Sequence, residues 1–310
     1  MNDNSYNRLR EKVETFSWLY DQYTGFLNDD ERKMYRGIGL SKSSLDKINK
    51  SVDHYFMEPD AETPAMRVGS AFHAIILEPD KFEETYLCGP KDCDRRTAAG
   101  KKAWKDLEEA NPKKIILSVN DWDMIHYMME SVSHHGLASE MLNLNEGAAE
   151  ETIMWNDPEL GTLMKGRTDF RNFGMKAVID LKSTQDASQD KLEKDLWSSD
   201  LRYHLQAAIY TDGIRTILDD KRWEFYFVYV EKKPPYAVQV VHLPLKALDI
   251  GRIQYRENII DLLKWLDRAT TALKKGEGLF SSFEEKVLEF NPPAWLVQKI
   301  KKQNRMKDEL

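Results

Sequence analysis

The sequence predicts an α/β domain whose N-terminal half is helical and whose C-terminal half builds a mixed sheet flanked by helices. Three observations predict it. The hydrophobic period is helical up to about residue 142 and then switches to short β-prone runs between 151 and 181. Those runs are separated by Asp157-Pro158-Glu159-Leu160-Gly161 and by Asn172-Phe173-Gly174, the turn chemistry of an antiparallel meander. A helical pattern, two further β-prone runs and a long amphipathic stretch follow, with no internal repeat, low-complexity tract or linker. A chain of 310 residues buries roughly three-quarters of its unfolded surface, enough for one large domain. The expected division is a helical arm over 1–36, one domain over 37–275 and a tail over 276–310.

Taken in order, Gly37-Ile38-Gly39-Leu40 interrupts the polar arm, and Ser41 is a good N-cap for a helix carrying Leu45 and Ile48 and ending near Pro59. A second helix runs from about Ala65 to Leu77, closed by Pro79, with Gly69 and His73 one turn apart on one face. His73 reads either as a hydrogen-bonded core residue or as a ligand. Helices follow at Gly100–Ala110 and Asp121–Leu142. The three strands are Glu151–Trp155, Leu163–Phe170 and Ala177–Leu181. Apolar residues at 201, 205, 208, 209, 214 and 217 then mark a helix from Leu201 to Leu218 that carries Gln206 and Tyr210 one turn apart. Strands Trp223–Val230 and Tyr236–Leu243, joined by Lys232-Lys233-Pro234-Pro235, lead into a helix over Leu245–Lys274. The tail, with Asn291-Pro292-Pro293-Ala294-Trp295, is expected to end in a short charged helix.

Composition narrows the function classes. With 41% hydrophobic and 31% charged residues and no apolar run near the ~20 residues of a membrane span, no membrane association is expected. The polar start Met1-Asn2-Asp3-Asn4-Ser5 has no signal-peptide core, so a cytoplasmic location is expected, and Lys307-Asp308-Glu309-Leu310 reads as a coincidental match to a retention signal. Two cysteines, Cys88 and Cys93, exclude a four-cysteine iron-sulfur cluster and argue against structural zinc. A net charge of −7 argues against general coating of nucleic acid, leaving local basic patches. The candidate patch is Arg95, Arg96, Lys101, Lys102 and Lys105, with the aromatic Trp104 among them.

The chemistry concentrates in Lys165-Gly166-Arg167-Thr168-Asp169 and, eleven positions after Asp169, Asp180-Leu181-Lys182-Ser183-Thr184. Asp180 and Lys182, two apart on a strand, share a sheet face. Hard carboxylates of this kind suit Mg²⁺, and a lysine beside them suits a water or a phosphate. The alternative is an ordinary ion pair.

Four blocks together resemble the RecE-type exonucleases, the exonuclease VIII family of phage recombination nucleases in the RecB-like branch of the PD-(D/E)XK superfamily. They are Gly69-Ser70-Ala71-Phe72-His73-Ala74-Ile75-Ile76-Leu77, Gly166-Arg167-Thr168-Asp169, Asp180-Leu181-Lys182-Ser183-Thr184 and Tyr203-His204-Leu205-Gln206-Ala207-Ala208-Ile209-Tyr210. Leu40-Ser41-Lys42-Ser43-Ser44-Leu45 and the Arg95–Trp104 segment extend the resemblance over roughly residues 38 to 245.

The resemblance implies a restriction-endonuclease-like (PD-(D/E)XK) core in which His73, Asp169 and Asp180 hold Mg²⁺, or Mn²⁺ in its place, with the Leu181 carbonyl as a further ligand. Lys182 is then expected to orient or help deprotonate the attacking water, with a lowered pKa, and Gln206 and Tyr210 to line the site. Glu150 or Glu151 is open as an additional ligand. The implied activity is 5′ to 3′ digestion of linear double-stranded DNA from its ends, leaving 3′ single strands for a phage-type annealing protein. The implied assembly is a ring-shaped homo-oligomer, a tetramer. A structure-selective or restriction-type endonuclease, or a catalytically silent DNA-binding module, are the alternatives.

Overall fold

Six strands, in the spatial order Gly25–Leu27, Gly147–Asn156, Leu163–Asn172, Ala177–Thr184, Glu224–Glu231 and Val238–Leu243, form the sheet on which the fold is built. The computed structural model describes residues 10–59, 63–91, 93–279, 281–282 and 298. The chain divides into the units Met1–Leu279 and Phe280–Leu310, and the charged helix expected near the end of the second lies outside the described residues apart from residue 298.

In chain order the strands are β1 (Gly25–Leu27), β2 (Tyr86–Cys88), β3 (Ile115–Leu117), β4 (Gly147–Asn156), β5 (Leu163–Asn172), β6 (Ala177–Thr184), β7 (Glu224–Glu231) and β8 (Val238–Leu243). The helices are α1 (Asp29–Met34), α2 (Lys42–Lys50), α3 (Val52–Met57), α4 (Pro64–Leu77), α5 (Pro79–Thr85), α6 (Ala98–Ala110), α7 (Val119–His134), α8 (Gly136–Met141), α9 (Gln189–Leu196), α10 (Tyr203–Leu218) and α11 (Leu245–Lys274). The β4-β5-β6 meander is antiparallel as its turn residues predict, and β7 then pairs parallel to β6. A parallel neighbour needs a crossover, and α9 and α10 supply it.

Several elements differ from expectation for local reasons. The arm before residue 37 is not wholly helical: Gly25–Leu27 pairs with Met154–Thr152 and becomes an edge strand of the sheet. The helix expected from Ser41 to Pro59 breaks at Ser51, which is extended and whose hydroxyl accepts from the His54 N–H, so one residue ends α2 and caps α3. The helix expected over Asp121–Leu142 breaks at His135, whose ring nitrogen accepts from the Ala138 N–H. Pro79 opens a new helix, since a proline costs nothing at the first helical position.

Alternation along β6 divides its residues between two environments. Ala177, Ile179 and Leu181 join Phe170, Val228 and Val230 in a core with Ala71, Phe72 and Leu77 of α4 and Ile125 and Met128 of α7. Asp180 and Lys182 take the other face, beneath α10. Helix α10 is buried along most of its length and packs closely against α11. Gly251 makes that approach possible, because a Cβ there would overlap the His204 carbonyl. Asp212 of α10 pairs with Arg252 and accepts from the Tyr255 hydroxyl, which also reaches the buried Asp157 at the β4–β5 turn. The buried Asp212 and Asp157 are thereby paired, which ties α10 to α11 and to the β4–β5 turn.

Candidate metal centre

The β5–β6 ladder runs through Asn172/Ala177, Arg171/Val178 and Phe170/Ile179 and then ends. Continuing it would set Asp169 directly opposite Asp180, two carboxylates at the ladder spacing. Asp169 Oδ2 instead accepts from the Leu181 N–H at 2.8 Å, replacing the lost backbone bond. In an extended strand a residue's N–H and C=O point the same way, so the Leu181 carbonyl also faces this opening.

On the other flank of β5 the register places Glu150 opposite Asp169, between the pairs Ala149/Phe170 and Glu151/Thr168. Glu150 has φ +52°, a left-handed conformation that costs a non-glycine residue on the order of 1–2 kcal/mol. Its carboxylate lies 2.6 Å from Arg167 Nε and 3.8 Å from His73 Nδ1. Of the two acids left open by the sequence, Glu150 is therefore the one in the centre. Glu151 is committed to Arg171, at 2.6 Å.

His73 arrives from α4, its Nδ1 3.5 Å from Asp169 Oδ2. One donor atom each from His73, Glu150 and Asp169 lie within 4.8 Å of one another. Asp180 is 1% exposed, with the Gln206 amide donating to one oxygen and Lys182 Nζ 2.6 Å from the other. Tyr210, one turn beyond Gln206, lies against β5 where Gly166 leaves room; a Cβ there would come within 2.8 Å of the ring. His73, Asp169, Asp180, Leu181, Lys182, Gln206 and Tyr210, read as one set from sequence, thus occupy one place in the fold.

Charge is the main feature of this cluster. Burial, then the Asp180 charge, pushes Asp169 up to about 7. Burial pulls His73 down, but Asp169 and Glu150 outweigh it and lift the imidazole to about 9. Burial would raise Glu150, yet His73 and Arg167 hold it below the ordinary carboxylate value. Burial lowers Lys182, but the Asp180 and Asp169 charges more than compensate and keep the ammonium charged. Burial raises the Tyr210 phenol, so it remains a neutral donor. Carboxylates crowded with an imidazole in a buried cleft form a hard donor set that fits a divalent ion such as Mg²⁺ or Mn²⁺, which would relieve the repulsion between the acids.

The cationic segment fares differently. Trp104 is buried, closely packed against Gly89, and Arg95 lies 3.4 Å over its ring. Bases stack only on an exposed ring, so Trp104 belongs to the core rather than to a nucleic-acid surface. Arg96 pairs with Asp94, Arg95 with Glu108 and Lys105 with Glu109, while Lys101 and Lys102 are exposed on α6. A second basic surface, not singled out from sequence, lies beside the centre. A cavity of about 430 Å³ is lined by Arg32, Arg36, Lys42, Lys165 and Arg167 together with Gln206 and Tyr210. The signal was present in β5, where Lys165 and Arg167 precede Asp169 at alternate positions.

Residues 41–276 match a family described as a PDDEXK-like domain of unknown function (DUF3799). A crystal structure of a candidate exonuclease from Eubacterium rectale superposes with a TM-score of 0.52 at 13% identity, covering 87% of this chain and 97% of that one. A crystal structure of SSO0001 matches at a TM-score of 0.26 and 17% identity over 50% of this chain and 69% of that one. No curated protein matches this chain in sequence. Among the described residues no helix is long and apolar enough to cross a membrane.

Proposed function

Because this chain belongs to the PDDEXK-like family whose model matches residues 41–276, we propose that it is a divalent-metal-dependent nuclease, and more narrowly an exodeoxyribonuclease acting on the ends of linear double-stranded DNA. One observation carries the reading: Asp169, Asp180, Lys182, Glu150 and His73 converge where β5 and β6 separate, with Gln206 bonded to Asp180 from α10. Acids able to hold a divalent ion beside a lysine can supply charge neutralisation and an activated water for phosphodiester hydrolysis.

A divalent ion held by His73, Asp169, Asp180 and the Leu181 carbonyl, with Glu150 alongside, would neutralise phosphate charge and acidify a bound water. The protein's own groups do the rest. Lys182, 2.6 Å from Asp180, orients or helps deprotonate the attacking water and stabilises charge on the phosphate. Gln206 fixes the rotamer of Asp180. Arg167 and Lys165 contact the substrate strand through its phosphates. Attack on phosphorus breaks one P–O bond, and the leaving oxygen takes up a proton to become a hydroxyl.

The exonuclease reading draws on the motif resemblance to RecE-type enzymes and agrees with the description of the Eubacterium rectale protein. From the same resemblance come Mg²⁺ as the ion, 5′ to 3′ polarity, a 3′ single-stranded product handed to an annealing protein, and a ring-shaped tetramer. The test is a gel assay with 5′-labelled linear duplex, 3′-labelled linear duplex and closed circles, with Mg²⁺ and with EDTA. Mg²⁺-dependent shortening of linear DNA that spares circles, and that is abolished by Asp180→Ala, is expected. Cutting of circles would assign an endonuclease, and metal-independent or Asp180-independent cleavage would overturn the site.

A further inference from the structure

We propose that Tyr203 is a positioning residue for Lys182, holding its ammonium group against Asp180 and toward the opening between β5 and β6; the catalytic meaning of this role rests on the nuclease reading above. Lys182 Nζ lies 5.2 Å from the centroid of the Tyr203 ring and 5.9 Å from that of Phe227. Both distances fall within the reach of a cation–π contact. The same ammonium meets Asp180 Oδ2 at 2.6 Å. The nitrogen is thus in reach of one carboxylate and two aromatic rings.

The rings are themselves braced. Tyr203 packs on Phe227 with centroids 5.6 Å apart and on Tyr229 at 6.3 Å, and Phe227 meets Tyr229 at 5.4 Å. Phe227 and Tyr229 lie opposite Asp180 and Lys182 in the parallel β6–β7 register, so the sheet fixes them on the same face as the acid and the lysine. Tyr203 is the first residue of α10. The residue before it, Arg202, is left-handed and buried, donating to Asn258 Oδ1 at 2.9 Å and to the Leu45 carbonyl. This anchor sets where α10 begins, and with it the direction of the Tyr203 ring.

An ion pair to one carboxylate restricts a flexible lysine stem only in part, and a second contact narrows its rotamers further. Asp180 alone would leave Nζ free to pivot about the carboxylate; the Tyr203 and Phe227 faces restrict that pivot. The ring face supplies the contact and the hydroxyl does not, so Tyr203→Phe and Tyr203→Leu separate the two.

The experiment compares Tyr203→Phe, Tyr203→Leu and wild type for kcat and KM on end-labelled duplex, for Mn²⁺ affinity, and by NMR of protein labelled at the lysine ε-carbon. The Lys182 signal is assigned by its loss in Lys182→Arg. Wild type and Tyr203→Phe are expected to show the Lys182 ε-protons shifted upfield by the ring and to share kcat within about twofold, whereas Tyr203→Leu loses the shift and roughly tenfold in kcat at unchanged KM and Mn²⁺ affinity. A Lys182 signal unchanged in Tyr203→Leu overturns the proposal whether or not the protein cuts DNA. Equal loss in Tyr203→Phe assigns the effect to the hydroxyl, and a parallel loss of Mn²⁺ affinity assigns it to the fold; either also overturns it. Absence of cleavage by wild type with the shift intact refutes the nuclease reading and leaves the lysine clamp standing.

Discussion

Asp169 offers the sharpest test of the centre, because its charge is costly in the metal-free protein and needed in the loaded one. Its carboxyl is raised from 3.8 to about 7, first by burial and then by Asp180. A raised acid pKa means that the folded state holds its proton more tightly than the unfolded chain. Stability is therefore fully present below about 4 and is lost as pH rises through about 7, after which the loss is constant. About three units correspond to a ceiling near 4 kcal/mol, which sharing of charge with Asp180 and His73 reduces to roughly 1–3 kcal/mol. Asp169→Asn removes the charge while its amide oxygen can still accept from the Leu181 N–H. In EDTA at pH 8 the variant is expected to unfold at higher denaturant concentration than wild type, by about 1–3 kcal/mol, and the advantage vanishes near pH 4. Adding Mn²⁺ reverses the order, since the ion stabilises only the chain that binds it. Parallel denaturant titrations at several pH values read all of this. An advantage of the same size at pH 4 and pH 8, or none at pH 8, would refute the claim that Asp169 is held as a repelled, buried charge.

Three further outcomes follow from single contacts. With His73 raised to about 9, a metal ion must displace its proton, so Mn²⁺ affinity measured by calorimetry should rise with pH up to about 9 in wild type and show a weaker dependence in His73→Ala. Gln206→Leu removes the donor to Asp180 and should lower kcat roughly 10- to 100-fold in the end-labelled assay while the far-UV CD spectrum is unchanged. Trp104→Ala empties a buried site beneath Arg95 and should cost about 3–5 kcal/mol in a denaturant titration, whereas Lys101→Ala and Lys102→Ala should be near neutral there.

Where periodicity and turn chemistry decide the outcome, the sequence was legible: the meander, α4, α10 and α11 stand where their patterns place them. Breaks within helices were not, because Ser51 and His135 act through side-chain bonds to the backbone that no hydrophobic period registers. The same division runs through the site. Asp169, Asp180, Lys182, Gln206 and Tyr210 sit on regular elements, where spacing sets which residues of one element share a face, but it was the motif resemblance that joined those elements and His73 into one site. Glu150 depended on a left-handed backbone inside a strand, which neither propensity nor alternation foretells. That distortion explains why a strand residue facing Asp169 turns toward His73 and Arg167 instead of continuing the ladder. The ladder fails on both sides of Asp169, at Glu150 on β4 and past Ile179 on β6. Regular pairing would have locked the three acids into cross-strand contacts. Interrupting it on both flanks turns those carboxylates toward His73, Arg167 and Lys182 instead of across the strands.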